Sequence, residues 1–226
     1  MNTTPSIGLS GFAKSGKTTA ANYLEAEYGY TRLHIADPLR AMLHSLLIDF
    51  GYDYDQIHYY LEGAGKENVI PCLGVTSRHA QITLGTEWGR AQISPDLWVN
   101  CWQQRAERLT SPAMNDSVRF PNEETKIRQM NGFTIMIVRK VAGPVAFTSR
   151  LGKLAYRLTG AMWGVHPSER VDLLRPDFIV HNNGTLKQLH LMLDRVMYAV
   201  GEDYHVWNRN NPRPIEIYPD ERIAGD

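Results

Sequence analysis

Apolar positions along this chain recur in two rhythms, unbroken short runs and spacings of three to four residues, and each predicts a different element. Residues 6–10, Ser-Ile-Gly-Leu-Ser, are short and apolar enough for a buried strand. Residues 17–27 set Ala20, Ala21, Tyr23 and Leu24 on one helical face, and Gly29 suits the left-handed turn that ends helices. Residues 30–35 alternate weakly and predict a second strand. Asp37-Pro38 opens a helix running to Phe50, with Pro38 in the first turn, where its missing N–H costs nothing. A polar third strand is expected at 113–118. The clearest strand is Phe133–Val138, whose continuous apolar run fits burial on both faces. Residues 177–181 read as another strand. Residues 186–200 place Leu189, Leu193, Val196 and Val200 at helical spacing, and 98–109 is also read as a helix.

Between 51 and 95 the pattern is mixed. Tyr52, Tyr54, Tyr59 and Tyr60 cluster near Gly63 and Gly65, and the expectation is helical pieces and loops laid over a core, without sheet. From 202 to 226, Pro212, Pro214 and Pro219 interrupt regular structure, so a surface-wrapping or partly unstructured tail is expected. The alternation of strands and helices predicts an α/β fold with a mostly parallel sheet.

Composition narrows this picture. Lys plus Arg and Asp plus Glu are both 24, so the net charge is zero and no basic excess points to polymeric nucleic acid. Cys72 and Cys101 have no metal-type spacing and read as reduced thiols. The first residues lack the basic start and apolar run of a secretion signal. No apolar stretch approaches the roughly 18 residues of a membrane span. A cytoplasmic protein that does not contact membranes is therefore expected, with homodimerisation left open.

The strongest chemical signal is Gly11-Phe12-Ala13-Lys14-Ser15-Gly16-Lys17-Thr18, which fits G-x-x-x-x-G-K-S/T between a strand and a helix. Glycines let the backbone curl so that successive N–H groups face phosphate oxygens. The helix start adds its partial positive charge. Lys17 would set a cation at the β- and γ-phosphates, and Thr18 would offer Mg²⁺ a hydroxyl. The expected ATP contacts are Gly11, Ala13, Lys14, Ser15, Gly16, Lys17, Thr18 and Thr19. Lys14 either touches phosphate or faces solvent. With this loop, the fold expected is a P-loop, three-layer α/β/α domain with five strands. No N-K-x-D motif of the GTPase kind occurs, and 113–118 lacks the Asp-Glu pair common in motor ATPases.

Further segments carry a resemblance. They are Ala36-Asp37-Pro38-Leu39-Arg40, Leu84-Gly85-Thr86-Glu87-Trp88-Gly89-Arg90, Val118-Arg119-Phe120-Pro121-Asn122-Glu123, His166-Pro167-Ser168-Glu169, Asp177-Phe178-Ile179-Val180 and Asn183-Gly184-Thr185-Leu186. With the P-loop, and in this order, they resemble the phage deoxynucleoside monophosphate kinases. More distantly they are similar to adenylate and dephospho-coenzyme A kinases. The resemblance implies one kinase domain with an acceptor-binding insertion at about 38–100 and a lid at about 140–175. It also implies the host cytoplasm as location if the chain is phage-encoded.

It further implies site residues. Asp37 would face the acceptor or the metal shell, although Asp before Pro also caps helices. Arg78, Gln81, Gly85, Thr86, Trp88 and Arg90 would form the acceptor-binding stretch. Arginine suits a monophosphate because its fork matches two oxygens. Arg78 and Arg90 could equally be solvated or ion-paired, and Trp88 and Trp98 could stack on a base or simply fill a core. The family pattern has Asp directly before Val-Arg-Phe; here that position is Ser117 and the acid is Asp116. Either Asp116 or another acid such as Asp37 would complete the Mg²⁺ shell with Thr18. Arg119 would touch phosphate. Arg150 and Arg157, in the basic run with Lys140, Lys153 and Arg170, would neutralise charge from the lid, or lie on a solvated helix face. Lys17, Arg119, Arg150 and Arg157 are thus the expected catalytic cations. The expected reaction is ATP-dependent phosphorylation of a deoxynucleoside monophosphate. A kinase for another small acceptor such as dephospho-coenzyme A, or a nucleotide-dependent switch, remains an alternative at this point.

Overall fold

The computed structural model describes residues 4–145, 147–201 and 213–220. Chain order runs β1 (Ile7–Ser10), α1 (Lys17–Tyr28), β2 (Thr31–Arg32), α2 (Asp37–Asp49), α3 (Tyr54–Leu61), β3 (Val69–Ile70), β4 (Val75–Thr76), α4 (Ser77–Ile82) and α5 (Leu97–Ala106). It continues β5 (Ala113–Asn115), α6 (Pro121–Gln129), β6 (Phe133–Val138), α7 (Arg150–Thr159), β7 (Phe178–His181), α8 (Leu186–Gly201) and β8 (Ile215–Ile217). Two compact units divide these elements, Met1–Leu33 with Ala106–Asp226, and His34–Arg105.

The first unit is built on a six-stranded sheet of order β2-β5-β1-β6-β7-β8, with every pairing parallel. The central strand β1 sets Ile7 opposite Phe133 and Leu9 opposite Ile135. All four are fully buried, as strands covered on both faces require. Ala20, Ala21 and Leu24 of α1 join Leu189, Leu193 and Val196 of α8 in one core cluster with the sheet. On α6, Ile127 lies so close to Gly8 that an added Cβ would sit 2.5 Å from its Cδ1. Helices thus cover the sheet in a three-layer α/β/α arrangement. Strand order reverses around β1, which places the loop after it at a switch point, where open α/β sheets bind ligands.

The sheet has six strands rather than five, because Ile215–Ile217 pairs with β7 at the edge. Pro214 and Pro219 bracket this strand without entering it, and an edge position tolerates them. The rest of the expected tail, 202–212 and 221–226, lies outside the described residues. The second and third strands are shorter than 30–35 and 113–118, being two and three residues. α6 has no apolar stripe to announce it: its buried residues are Glu123, Glu124 and Ile127.

The second unit packs Leu43, Leu47, Ile57, Leu61 and Ile70 into a core of its own. α3 begins on a capping box, where the Asp53 side chain accepts from Gln56 N and Gln56 Oε1 accepts from Asp53 N. The expectation that 51–95 holds no sheet is corrected by the antiparallel pair β3–β4. Its four residues Val69, Ile70, Val75 and Thr76 are β-branched, and Gly74 turns the chain between them at φ +67°. After α4 the chain widens into a π-helix over Thr83–Ile93. Gly85 and Gly89 are buried there, and the Trp98 indole N–H donates to Gly85 O at 2.8 Å. Among the described residues no helix is long and apolar enough to cross a membrane.

Candidate active site

The loop after β1 takes positive φ at three positions, Gly11 at +132°, Gly16 at +104° and, unusually for a residue with a side chain, Lys14 at +66°. A Cβ at Gly11 would collide with Ile137 O, and one at Gly16 with the Asn182 side chain. The loop thus needs glycine for space as well as for conformation. α1 starts at Lys17 without a side-chain cap, so its first N–H groups remain oriented toward the loop. Lys17 reaches back over the loop and donates from Nζ to Gly11 O and Phe12 O, each at 2.8 Å. Burial lowers its pKa to about 8, with a further push from Arg119, while Asp116 and Glu169 pull the other way. A desolvated cation beside a second cation is what a polyanion would relieve.

Around this loop stand residues from three other segments. Asp116, just past β5, is buried with its carboxylate 3.5 Å from Arg32. Arg119 donates from Nη1 to Ser168 O at 3.3 Å, and its backbone N–H donates to Glu123 Oε2 at 2.7 Å. This is why the sequence buries Glu123: its carboxylate caps α6 and fixes the turn that carries Arg119. Glu169 Oε2 accepts from Val145 N at 2.5 Å. Ala13 forms an antiparallel bridge with Gly143, so the loop also meets the chain following β6. Asn182 donates from Nδ2 to Ser15 O at 2.8 Å in a buried contact.

In the second unit, Asp37 accepts from His34 N at 3.1 Å and from Arg105 Nη2 at 2.6 Å, and lies 3.4 Å from Arg40 Nη1. It stands in the first turn of α2, where a carboxylate suits the helix dipole. A cavity of about 440 Å³ opens there, lined by Asp37, Arg40, His44, Ser45, Tyr54, His58 and Glu62 among others. Arg40 Nε is buried and has no hydrogen-bond partner among the described residues.

No protein-family model matches the chain. A protein of Acanthamoeba polyphaga mimivirus, named "Putative deoxynucleotide monophosphate kinase", is 30% identical over 148 residues, covering 59% of this chain and 73% of the relative. The chain belongs to the deoxynucleotide monophosphate kinase family. As a member of that kinase family it is a phosphotransferase by class, built on the α/β sheet described above.

The residues expected from sequence in this kinase are distributed unevenly. Lys17, Arg119 and Asp116 come together in the first unit with the loop residues Gly11, Ala13, Lys14, Ser15, Gly16, Thr18 and Thr19. Lys14, Thr18 and Thr19 are exposed. Arg150 and Arg157 are exposed on α7. In the second unit, Arg78 is ion-paired with Glu67. Gln81 Nε2 donates to Ser77 Oγ at 3.0 Å and Leu61 O at 3.3 Å. Gly85 receives the Trp98 indole, Arg90 donates to Pro95 O at 3.0 Å, and Trp88 is half-buried at 6.2 Å from Trp98, centroid to centroid. Thr86 is half-buried. None of these six lines the Asp37 cavity. Arg40, His44 and Asn182 were not anticipated. Asp37, Arg40 and His44 fall at helical spacing on one face of α2, a signal the sequence did carry.

An Mg²⁺ ion is implied by the kinase class. The donor set fits: the Thr18 hydroxyl and the Asp116 carboxylate are the hard oxygen ligands this ion takes, and it usually keeps waters and phosphates for the rest. Among the described residues there is no cluster of three His, Cys, Asp or Glu side chains able to hold a metal by themselves.

Proposed function

We propose that the protein transfers the terminal phosphate of ATP to a deoxynucleoside monophosphate, giving the diphosphate and ADP. The observation that carries this reading is the glycine-shaped loop with a desolvated Lys17 folded over it, at the switch point of a parallel sheet. The name of the mimivirus relative supports the deoxynucleotide acceptor.

In this reading Lys17 leaves Gly11 O and Phe12 O for the β- and γ-phosphates. Exchanging neutral carbonyls for an anion strengthens both of its hydrogen bonds. Bound Mg²⁺ would supply charge neutralisation at the phosphate oxygens, held by Thr18 and Asp116. Arg119, fixed through Glu123 and Ser168, sits beside Lys17 as a second cation for charge that develops in transfer. The acceptor phosphate is largely ionised above about pH 6 and needs no strong base. Catalysis is then positioning and electrostatics, and no His–Asp dyad is required. Arg40, which lines the Asp37 cavity beside that carboxylate, is the side chain proposed to grip the acceptor phosphate. Arg150 and Arg157 on α7 are proposed to act from a lid that limits ATP hydrolysis by water.

The experiment is ADP release from ATP and Mg²⁺ with dGMP, dTMP, dCMP, dAMP, their ribose counterparts and dephospho-coenzyme A in turn. Acceptor-dependent ADP with a deoxynucleotide is the expected result, lost in Lys17→Met. Acceptor-independent hydrolysis, or transfer confined to dephospho-coenzyme A, overturns the reading.

A further inference from the structure

A loop that turns its amides toward phosphate turns carbonyls the other way, and a carbonyl facing protein must find a donor. In this chain one of them is Ser15 O, and the donor is the Asn182 side-chain amide at 2.8 Å, in a buried contact. Asn182 follows β7 and is itself buried. Its backbone N–H donates to Val138 O at 2.8 Å, the last residue of β6. The next residue, Asn183, accepts from Lys140 N through Oδ1 at 2.8 Å and donates its own N–H to His181 O at 2.9 Å. The corner is therefore pinned to two strand ends before it reaches the loop. Gly16 fits the contact from the other side, because any Cβ there would strike Asn182 Nδ2.

We infer that Asn182 is a positioning residue for the phosphate loop, acting through the peptide that joins Ser15 to Gly16. The peptide unit is planar and trans, so its C=O and N–H point in opposite directions. Holding Ser15 O against Asn182 aims the Gly16 N–H away from Asn182, and fixes a donor before any nucleotide arrives. Preset donors avoid a reorganisation cost when charge is bound. Without Asn182, the peptide is free to flip and the buried carbonyl is left without its partner. This inference rests on the loop being the ATP site.

The test is Asn182→Asp, which keeps the shape but replaces the donor with an acceptor facing Ser15 O, alongside Asn182→Ala. ATP·Mg²⁺ affinity is read by calorimetry, the Michaelis constants for ATP and acceptor by the ADP assay, and folding by urea denaturation. Asn182→Asp is expected to weaken ATP by about tenfold or more, as loss of an oriented hydrogen bond does. The Michaelis constant for the acceptor is expected to stay at the wild-type value, a split that general loss of stability would not give. If Asn182→Asp does not fold, the same split in Asn182→Ala carries the test. A folded variant that binds ATP as tightly as wild type overturns the inference and leaves the ATP reading intact. Wild type without ATP affinity overturns the ATP reading itself and this inference with it.

Discussion

Lys17 shows how burial tunes the charge of one side chain. Among the described residues its ammonium donates to two carbonyls, and burial with Arg119 nearby brings its pKa from 10.5 to about 8. A lysine whose pKa falls on folding is held more weakly as a cation in the native state, so the unfolded chain binds more protons between pH 8 and 10.5. Unfolding free energy should therefore rise with pH across that window, by up to about 3 kcal/mol. Lys17→Met should remove this slope. Urea denaturation of both proteins at pH 7.5, 9 and 10 checks it, and parallel curves would show that the ammonium is not desolvated. The same shift has a consequence for binding. A triphosphate restores the charge, so binding near pH 8 should take up protons. Calorimetry in buffers of different ionisation enthalpy reads that uptake, and it should disappear in Lys17→Met.

At the scale of elements, α7 is the clearest case of a segment built for one neighbour. Ser149 accepts from Gly152 N at 3.0 Å to start the helix, and Gly152 lies against Gly164 so closely that a Cβ would sit 2.7 Å from its Cα. Thr148 N donates to Gly164 O at 2.7 Å across the same contact. Gly152→Ala would force two backbones apart, a strain of about 1–3 kcal/mol confined to 147–165. Amide exchange there should quicken while the urea midpoint stays near wild type, and the rate of transfer should fall if α7 is the lid. Fast exchange already present in wild type would refute it. What the sequence revealed of the elements follows their physics. Phe133–Val138 was legible because its apolar run has one meaning in a parallel sheet, and the P-loop because its glycines stand at fixed spacing. α6 was expected only as a step in the alternation of strands and helices and without bounds, since its buried residues include Glu123 and Glu124, which are there for backbone N–H groups of Arg119 and Arg175. The β3–β4 hairpin was too short for a period to show. Asn182 was invisible because its partner, Ser15 O, lies 167 residues away and is backbone. Arg40 and His44 share a helical face with Asp37, whereas the arginines of the resemblance, Arg78 and Arg90, lie outside the cavity.

At the scale of the whole chain, two cores within one sequence allow two ligands to be followed separately. The sheet unit has its cluster around Ile7, Leu9, Phe133 and Phe178, and His34–Arg105 has Leu43, Leu47, Ile57 and Ile70. A ligand that binds only the folded state stabilises it by about 2.7 kcal/mol at a hundredfold excess over its dissociation constant. ATP·Mg²⁺ should therefore raise the melting temperature and slow exchange at 11–18, with Lys17→Met losing both effects. A deoxynucleoside monophosphate alone should protect the start of α2, where Asp37, Arg40 and His44 line their cavity, and should do so equally in Lys17→Met. Arg40→Ala should reverse that pattern, keeping the ATP shift and losing the acceptor shift. Its contact with Asp37 is long, at 3.4 Å, and Asp37 keeps Arg105 at 2.6 Å, so the substitution should cost little stability of its own. An acceptor that protects 77–93 instead, around Arg78 and Arg90, would return the acceptor site to the stretch the sequence first suggested and remove Arg40 from it.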